Sequence, residues 1–110
     1  MENNKNRFGD YLKELIKEAG LTQSEFYTAL SIKKPYFYDI VSGRVNPPPH
    51  PLQFKSMEIL KADKKTKEIF FDLAAKERGD IPADITKLII DNPSMVITIR
   101  DGQKLTNACT

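Results

Sequence analysis

One cysteine and one histidine are all the chain offers of the usual metal-binding and nucleophilic residues. A single cysteine, Cys109, cannot form an internal disulfide, and a reducing compartment is the simplest reading. It lies beside the C-terminus, in what reads as a frayed tail, and a nucleophilic role is not expected of it. His50 is flanked by prolines and has no cysteine or acidic partner at metal-ligand spacing. No Gly-x-Gly-x-x-Gly or P-loop pattern cradles a phosphate. Asp80 and Asp84 stand four residues apart, but helix capping accounts for them better than acid–base work. The expectation is a protein that is not an enzyme and carries no cofactor and no metal. No apolar run approaches 18 residues, so nothing in the sequence reads as membrane-spanning. MENNKNRF lacks the apolar core of a secretory signal, and a cytoplasmic location is expected. Charge of one sign is also scarce. A net charge of +2 and a pI near 8.6 do not describe a non-specific nucleic-acid coat.

Apolar residues, by contrast, make up 40% of the 110 positions. That is enough for one compact domain, or a small domain with a dimerising extension. The cations are also unevenly placed. Residues 33–55 hold Lys33, Lys34, Arg44 and Lys55 against Asp39 alone, a local charge of +3.

Helical periodicity dominates. Phe8, Leu12, Leu15, Ile16 and Ala19 fall on one face of a first helix that Gly20 ends. Thr22-Gln23-Ser24-Glu25 is a capping box opening a second helix over about 23–30, with Phe26 and Leu30 inward. After a break at Ser31-Ile32, a third helix runs from about Lys34 to Ser42, with Phe37 and Ile40 inward and Gly43 as its stop. Pro47-Pro48-Pro49-His50-Pro51 cannot be helix interior and reads as a rigid connector. A fourth helix spans about 51–60, with Leu52, Phe54, Met57 and Leu60 as its core residues. The charged stretch Lys61–Lys67 reads as a hinge. A fifth helix, about 66–78, places Ile69, Phe70, Leu73 and Ala74 on one side before Gly79. Ile81-Pro82 opens a sixth, with Pro82 near its first position, Asp84 in its first turn and an Ile81–Ile85 staple; Asn92-Pro93 closes it. The last segment, SMVITIRDGQKL, carries both strand-and-turn and helix signals, and helix is favoured because every other segment is helical.

The second and third helices are where chemistry concentrates. Affinity for DNA needs cations and backbone amides facing phosphates, and specificity needs side chains at base edges. The start of the third helix presents Lys34, Pro35 and Tyr36, with Tyr38 and Asp39 further along the same surface. A lysine can donate to guanine, a carboxylate can accept from cytosine, and a tyrosine can pack on a thymine methyl. Gln23 opens the second helix, where an amide and free N–H groups can meet a phosphate, and Arg44 follows the third as a phosphate clamp.

With these residues in view, positions 8–60 resemble the Cro/C1-type (XRE family) of helix-turn-helix proteins. The shared pattern is Leu21-Thr22-Gln23, Glu25-Phe26, Leu30, Ile32, Phe37, Ile40, Gly43 and Asn46-Pro47. AAKERGDIPADI further on resembles a segment found after the helix-turn-helix in some such regulators of Gram-positive bacteria and their phages. The resemblance implies an all-α, lambda-repressor-like bundle whose third helix enters the major groove. It implies two parts, residues 1–62 as the DNA-binding domain and residues 63–110 as a helical extension; the abundance of aliphatic residues there, Ile69, Phe70, Leu73, Ile85, Leu88, Ile89, Val96 and Ile97, reads as a dimer interface. The resemblance places Gln23, Ser42 and Arg44 on phosphates, and Lys34, Pro35, Tyr36 and Asp39 toward bases; the charge of Lys33 adds it to the first set and the exposed position of Tyr38 adds it to the second. The implied function is transcription regulation as a repressor, a homodimer on an inverted-repeat operator in double-stranded DNA. The alternative is the same scaffold used as a protein-interaction module, such as an antitoxin, phage inhibitor or adaptor; no small-molecule effector is indicated. Three positions depart from the pattern. Ser31 stands where the family has a turn glycine, Tyr27 where it has a small residue, and Lys33 where a capping serine or threonine is usual.

Overall fold

In the computed structural model the structure describes residues 7–109, with side chains through residue 102. Seven helices follow one another: α1 Phe8–Glu18, α2 Gln23–Ala29, α3 Lys34–Ser42, α4 His50–Leu60, α5 Lys64–Arg78, α6 Ala83–Asp91 and α7 Ser94–Cys109. No strand occurs among the described residues, so the final segment is helix and its strand alternative is set aside. The residues of MENNKNRF before position 7 and the Cys109 side chain lie outside the described residues.

Local chemistry explains most boundaries. Asp10 in the first turn of α1 and Lys17 in the last oppose the helix dipole at the favourable ends. α1 closes with Gly20 left-handed at φ 77, its N–H on Lys17 O while Leu21 N–H reaches Ile16 O. The Thr22 capping box is complete. Thr22 Oγ1 accepts from Glu25 N–H at 3.0 Å, and Glu25 Oε1 accepts from Thr22 N–H at 2.8 Å. α2 ends by the same two-bond closure as α1, Ser31 N–H to Thr28 O and Ile32 N–H to Tyr27 O, but with a serine in the left-handed position at φ 65. A Cβ in that region costs about 1–2 kcal/mol, which the surrounding packing must outweigh. Lys33, as its side chain dictates, gives no cap to α3, and Gly43 ends that helix at φ 81.

Several boundaries and faces differ from the sequence reading. Ala19 is the exposed cap of α1, not part of its buried face. The stretch 61–67 is no hinge: Asp63 accepts from Thr66 N–H at 2.8 Å and starts α5 at Lys64, so the lysines are the solvated first turn of a helix. Pro82 is the cap of α6 and precedes its first residue, and Ile81 and Ile85 both remain exposed. α4 turns Gln53, Ser56, Met57 and Leu60 inward and leaves Leu52 and Phe54 half-buried. The two polar members are accommodated by bonds to backbone: Gln53 Nε2 donates to Pro48 O and Ser56 Oγ to Leu52 O, both at 2.8 Å. Ile69 lies at the exposed edge of α5.

The core forms around α1, which packs on α2, α3 and α5. All six phenylalanines of the chain line it. Phe8 meets Phe70 at 4.9 Å between ring centroids, Phe54 meets Phe71 at 5.1 Å, and Phe26 meets Phe37 at 6.0 Å. α1 and α3 approach so closely that a Cβ at Gly9 would meet the Val41 backbone carbonyl. Glu77 of α5 crosses to the start of α1, where Oε2 accepts from Phe8 N–H at 2.7 Å. Arg78 donates to Pro47 O and to Asp80, both at 2.9 Å, and His50 Nε2 lies 3.5 Å from Asp80. Pro47 and Pro48 are buried, so the proline connector is pinned to the end of α5.

Candidate nucleic-acid interface

α3 buries Phe37, Ile40 and Val41, and that choice of inward face decides what faces out. Lys34, Pro35 and Tyr38 are exposed, and so is Lys33 ahead of them. Tyr36 and Asp39 are half-buried. Tyr27 of α2 packs on the inner side, its ring 5.3 Å from that of Phe37; this large residue is absorbed as part of the α2–α3 contact.

Two pairs form among the outward residues. The Lys34 ammonium stands 5.8 Å from the Tyr38 ring centroid, one helical turn on, a spacing at which a cation is drawn to the ring face. Arg44 Nη1 lies 3.3 Å from Asp39 Oδ1. The Asp39 backbone carbonyl is also shared: it accepts from Arg44 N–H, Val45 N–H and the Ser42 hydroxyl at 2.9, 3.3 and 3.2 Å. The Ser42 hydroxyl therefore bonds inside its own helix, and Asp39 is the organising residue of the α3 C-terminus.

Gln23 is half-buried and lines a shallow groove with Lys13 and Lys17 of α1. A cation not singled out in the sequence stands near the other end of α3. Arg7, just ahead of α1, donates from Nη2 to Ser42 O at 3.3 Å, with the same nitrogen against Gly43. Its only sequence signal is its position beside Gly9, the residue that lets α1 and α3 touch. Lys55 of α4 reaches the Ser31 hydroxyl at 3.5 Å and so borders the α2–α3 turn.

The surface thus gathers Arg7, Lys33, Lys34 and Arg44, with Asp39 beside Arg44 and Asp10 3.9 Å from Arg7. No side chain caps the first turn of α3, whose N–H groups add positive potential. Titration is displaced elsewhere. Burial raises the Tyr11 hydroxyl where it meets Thr66 across the α1–α5 contact, and the Thr66 backbone N–H lowers Asp63. Among the described residues no group of three metal-ligating side chains converges, and no helix is long and apolar enough to cross a membrane. No family model, curated protein or solved structure matches this chain.

Proposed function

We propose that this chain is a sequence-specific DNA-binding transcriptional regulator, a cytoplasmic repressor of the Cro/C1 type that binds an inverted-repeat operator as a homodimer. The observation that carries the reading is the exposed α3 surface. A rigid aromatic core fixes the helix, and the outward residues combine cations at both ends with Tyr38 and Asp39 between them. α2 and the turn through Ser31 would complete the helix-turn-helix, with Gln23, Lys33, Ser42 and Arg44 toward phosphates and Lys34, Pro35, Tyr36, Tyr38 and Asp39 toward bases. Arg7 joins the phosphate group on its contact with the α3 C-terminus.

One observation favours the second reading, a protein-interaction module. Asp39 already offsets part of the Arg44 charge, which suits a mixed polar partner better than a phosphate backbone. Selection from a random duplex library with purified protein at near-physiological salt separates the two. Enrichment of an inverted repeat establishes sequence-specific operator binding. No enrichment by a well-folded protein removes that function, and capture of a partner on the 33–44 face becomes the next measurement.

A further inference from the structure

We infer that Ser31 and Lys55 form a phosphate-contact pair at the turn between α2 and α3, which holds the sugar-phosphate backbone of duplex DNA beside the start of α3. The pair rests on the DNA-binding reading above and extends that surface to α4, a helix outside the helix-turn-helix.

Two consecutive helices close with the same hydrogen bonds. α1 ends through Gly20 at φ 77, and α2 ends through Ser31 at φ 65. A glycine meets that geometry without strain, as α1 shows, and a serine does not. All that the serine adds is a hydroxymethyl group, and Ser31 is exposed, so core packing does not call for it. A non-glycine residue kept in a strained conformation points to a side chain in use. The hydroxyl has one partner among the described residues: Lys55 Nζ of α4, 3.5 Å from Ser31 Oγ.

The pair is rich in donors. With Oγ accepting from Nζ, the serine O–H and two of the three ammonium N–H groups remain to donate. Lys55 is exposed, and so are Lys33 and Lys34, two and three residues past Ser31. Among the described residues no carboxylate pairs with any of these three lysines. The other end of α3 differs, since there Asp39 sits 3.3 Å from Arg44. Donors without an internal acceptor suit an anion that offers oxygens and no protons. A phosphodiester is such an anion, repeated along a backbone. A phosphate held by Ser31 and Lys55 would fix the start of α3 against the groove without itself reading sequence.

The test is the affinity of the full chain for a short duplex of arbitrary sequence, measured across about 50–200 mM salt. Lys55→Ala should flatten the logarithmic salt slope by about one unit, and Lys55→Arg should restore it. Ser31→Gly should leave the slope alone, weaken binding about two- to tenfold and raise the urea midpoint. Greater stability with poorer binding is a result that a purely structural serine does not give. In the Ser31→Gly/Lys55→Ala double variant the loss should fall short of the product of the two single losses, because both groups act on one phosphate. The parent slope in Lys55→Ala, the parent affinity in Ser31→Gly, or fully multiplicative losses overturn the pair and leave the DNA-binding reading standing. A parent chain that binds no duplex removes both. The duplex carries no operator, so failure of the operator selection leaves this contact standing.

Discussion

Asp39 holds Arg44 twice over: its carboxylate lies 3.3 Å from the guanidinium, and its backbone carbonyl accepts the Arg44 N–H at 2.9 Å. The carboxylate therefore competes with any anion for one face of the guanidinium, whose side chain is otherwise exposed. Asp39→Asn removes the competing charge and should tighten binding to non-specific duplexes while steepening its salt dependence. Arg44→Ala should weaken binding to all sequences and flatten the salt slope by about one unit. Slopes measured for the three proteins on one non-specific duplex check this, and equal slopes for Arg44→Ala and the parent would remove the phosphate clamp.

Lys34 stands over the Tyr38 ring in the first turn of α3, aimed along the exposed surface. Lys34→Ala should cost roughly 1–3 kcal/mol of specific binding and relax preference at one base pair, with little change elsewhere in the site. A binding-site selection repeated with the variant reads this directly. A uniform loss across all positions would make Lys34 another phosphate contact.

Gly9 permits the α1–α3 approach, and its helical backbone would otherwise accept alanine. Gly9→Ala gains a little helix propensity but drives a methyl into backbone that cannot rotate away. A net loss of about 1–3 kcal/mol is expected in urea unfolding, with the helices forced apart. An unchanged midpoint would show that α1 and α3 have slack.

Asp63 is held below its ordinary value of 3.8, first by the Thr66 backbone N–H and then by the Thr66 side chain. A depressed carboxylate stabilises the fold above its unfolded value and loses that contribution as pH falls through the folded one. Asp63→Ala should therefore melt lower than the parent near neutral pH, and the gap should narrow below about pH 4. Thermal melts of both proteins across that range measure it; a gap that widens in acid would contradict the cap.

The helices were legible wherever a side chain speaks to its own backbone. The Thr22–Glu25 box, the stops at Gly20, Gly43 and Gly79, and the inward set Phe26, Phe37 and Ile40 needed no tertiary knowledge. Asp63 shows the limit, since a cap set among lysines on both sides reads equally as a hinge. Gln53 and Ser56 were invisible because polar residues enter a core only where a carbonyl awaits them, and Pro48 O is supplied by the loop. Ser31 was legible only through the resemblance, which demanded a left-handed residue there. At the candidate interface the outward residues of α3 followed from periodicity. The Asp39–Arg44 and Arg7–Ser42 contacts did not, because a turn and a distant helix bring those partners together.

The carboxylate of Glu77 on the Phe8 amide has a consequence for how the chain is made. The start of α1 meets this hydrogen-bond partner 69 residues further along the chain, and its aromatic neighbour, Phe70, comes only shortly before. α2 and α3 already give Phe8, Leu12 and Ile16 part of their wall, and α5 supplies the remainder. The surroundings of α1 are therefore complete only once α5 is in place, well after α3 in the chain.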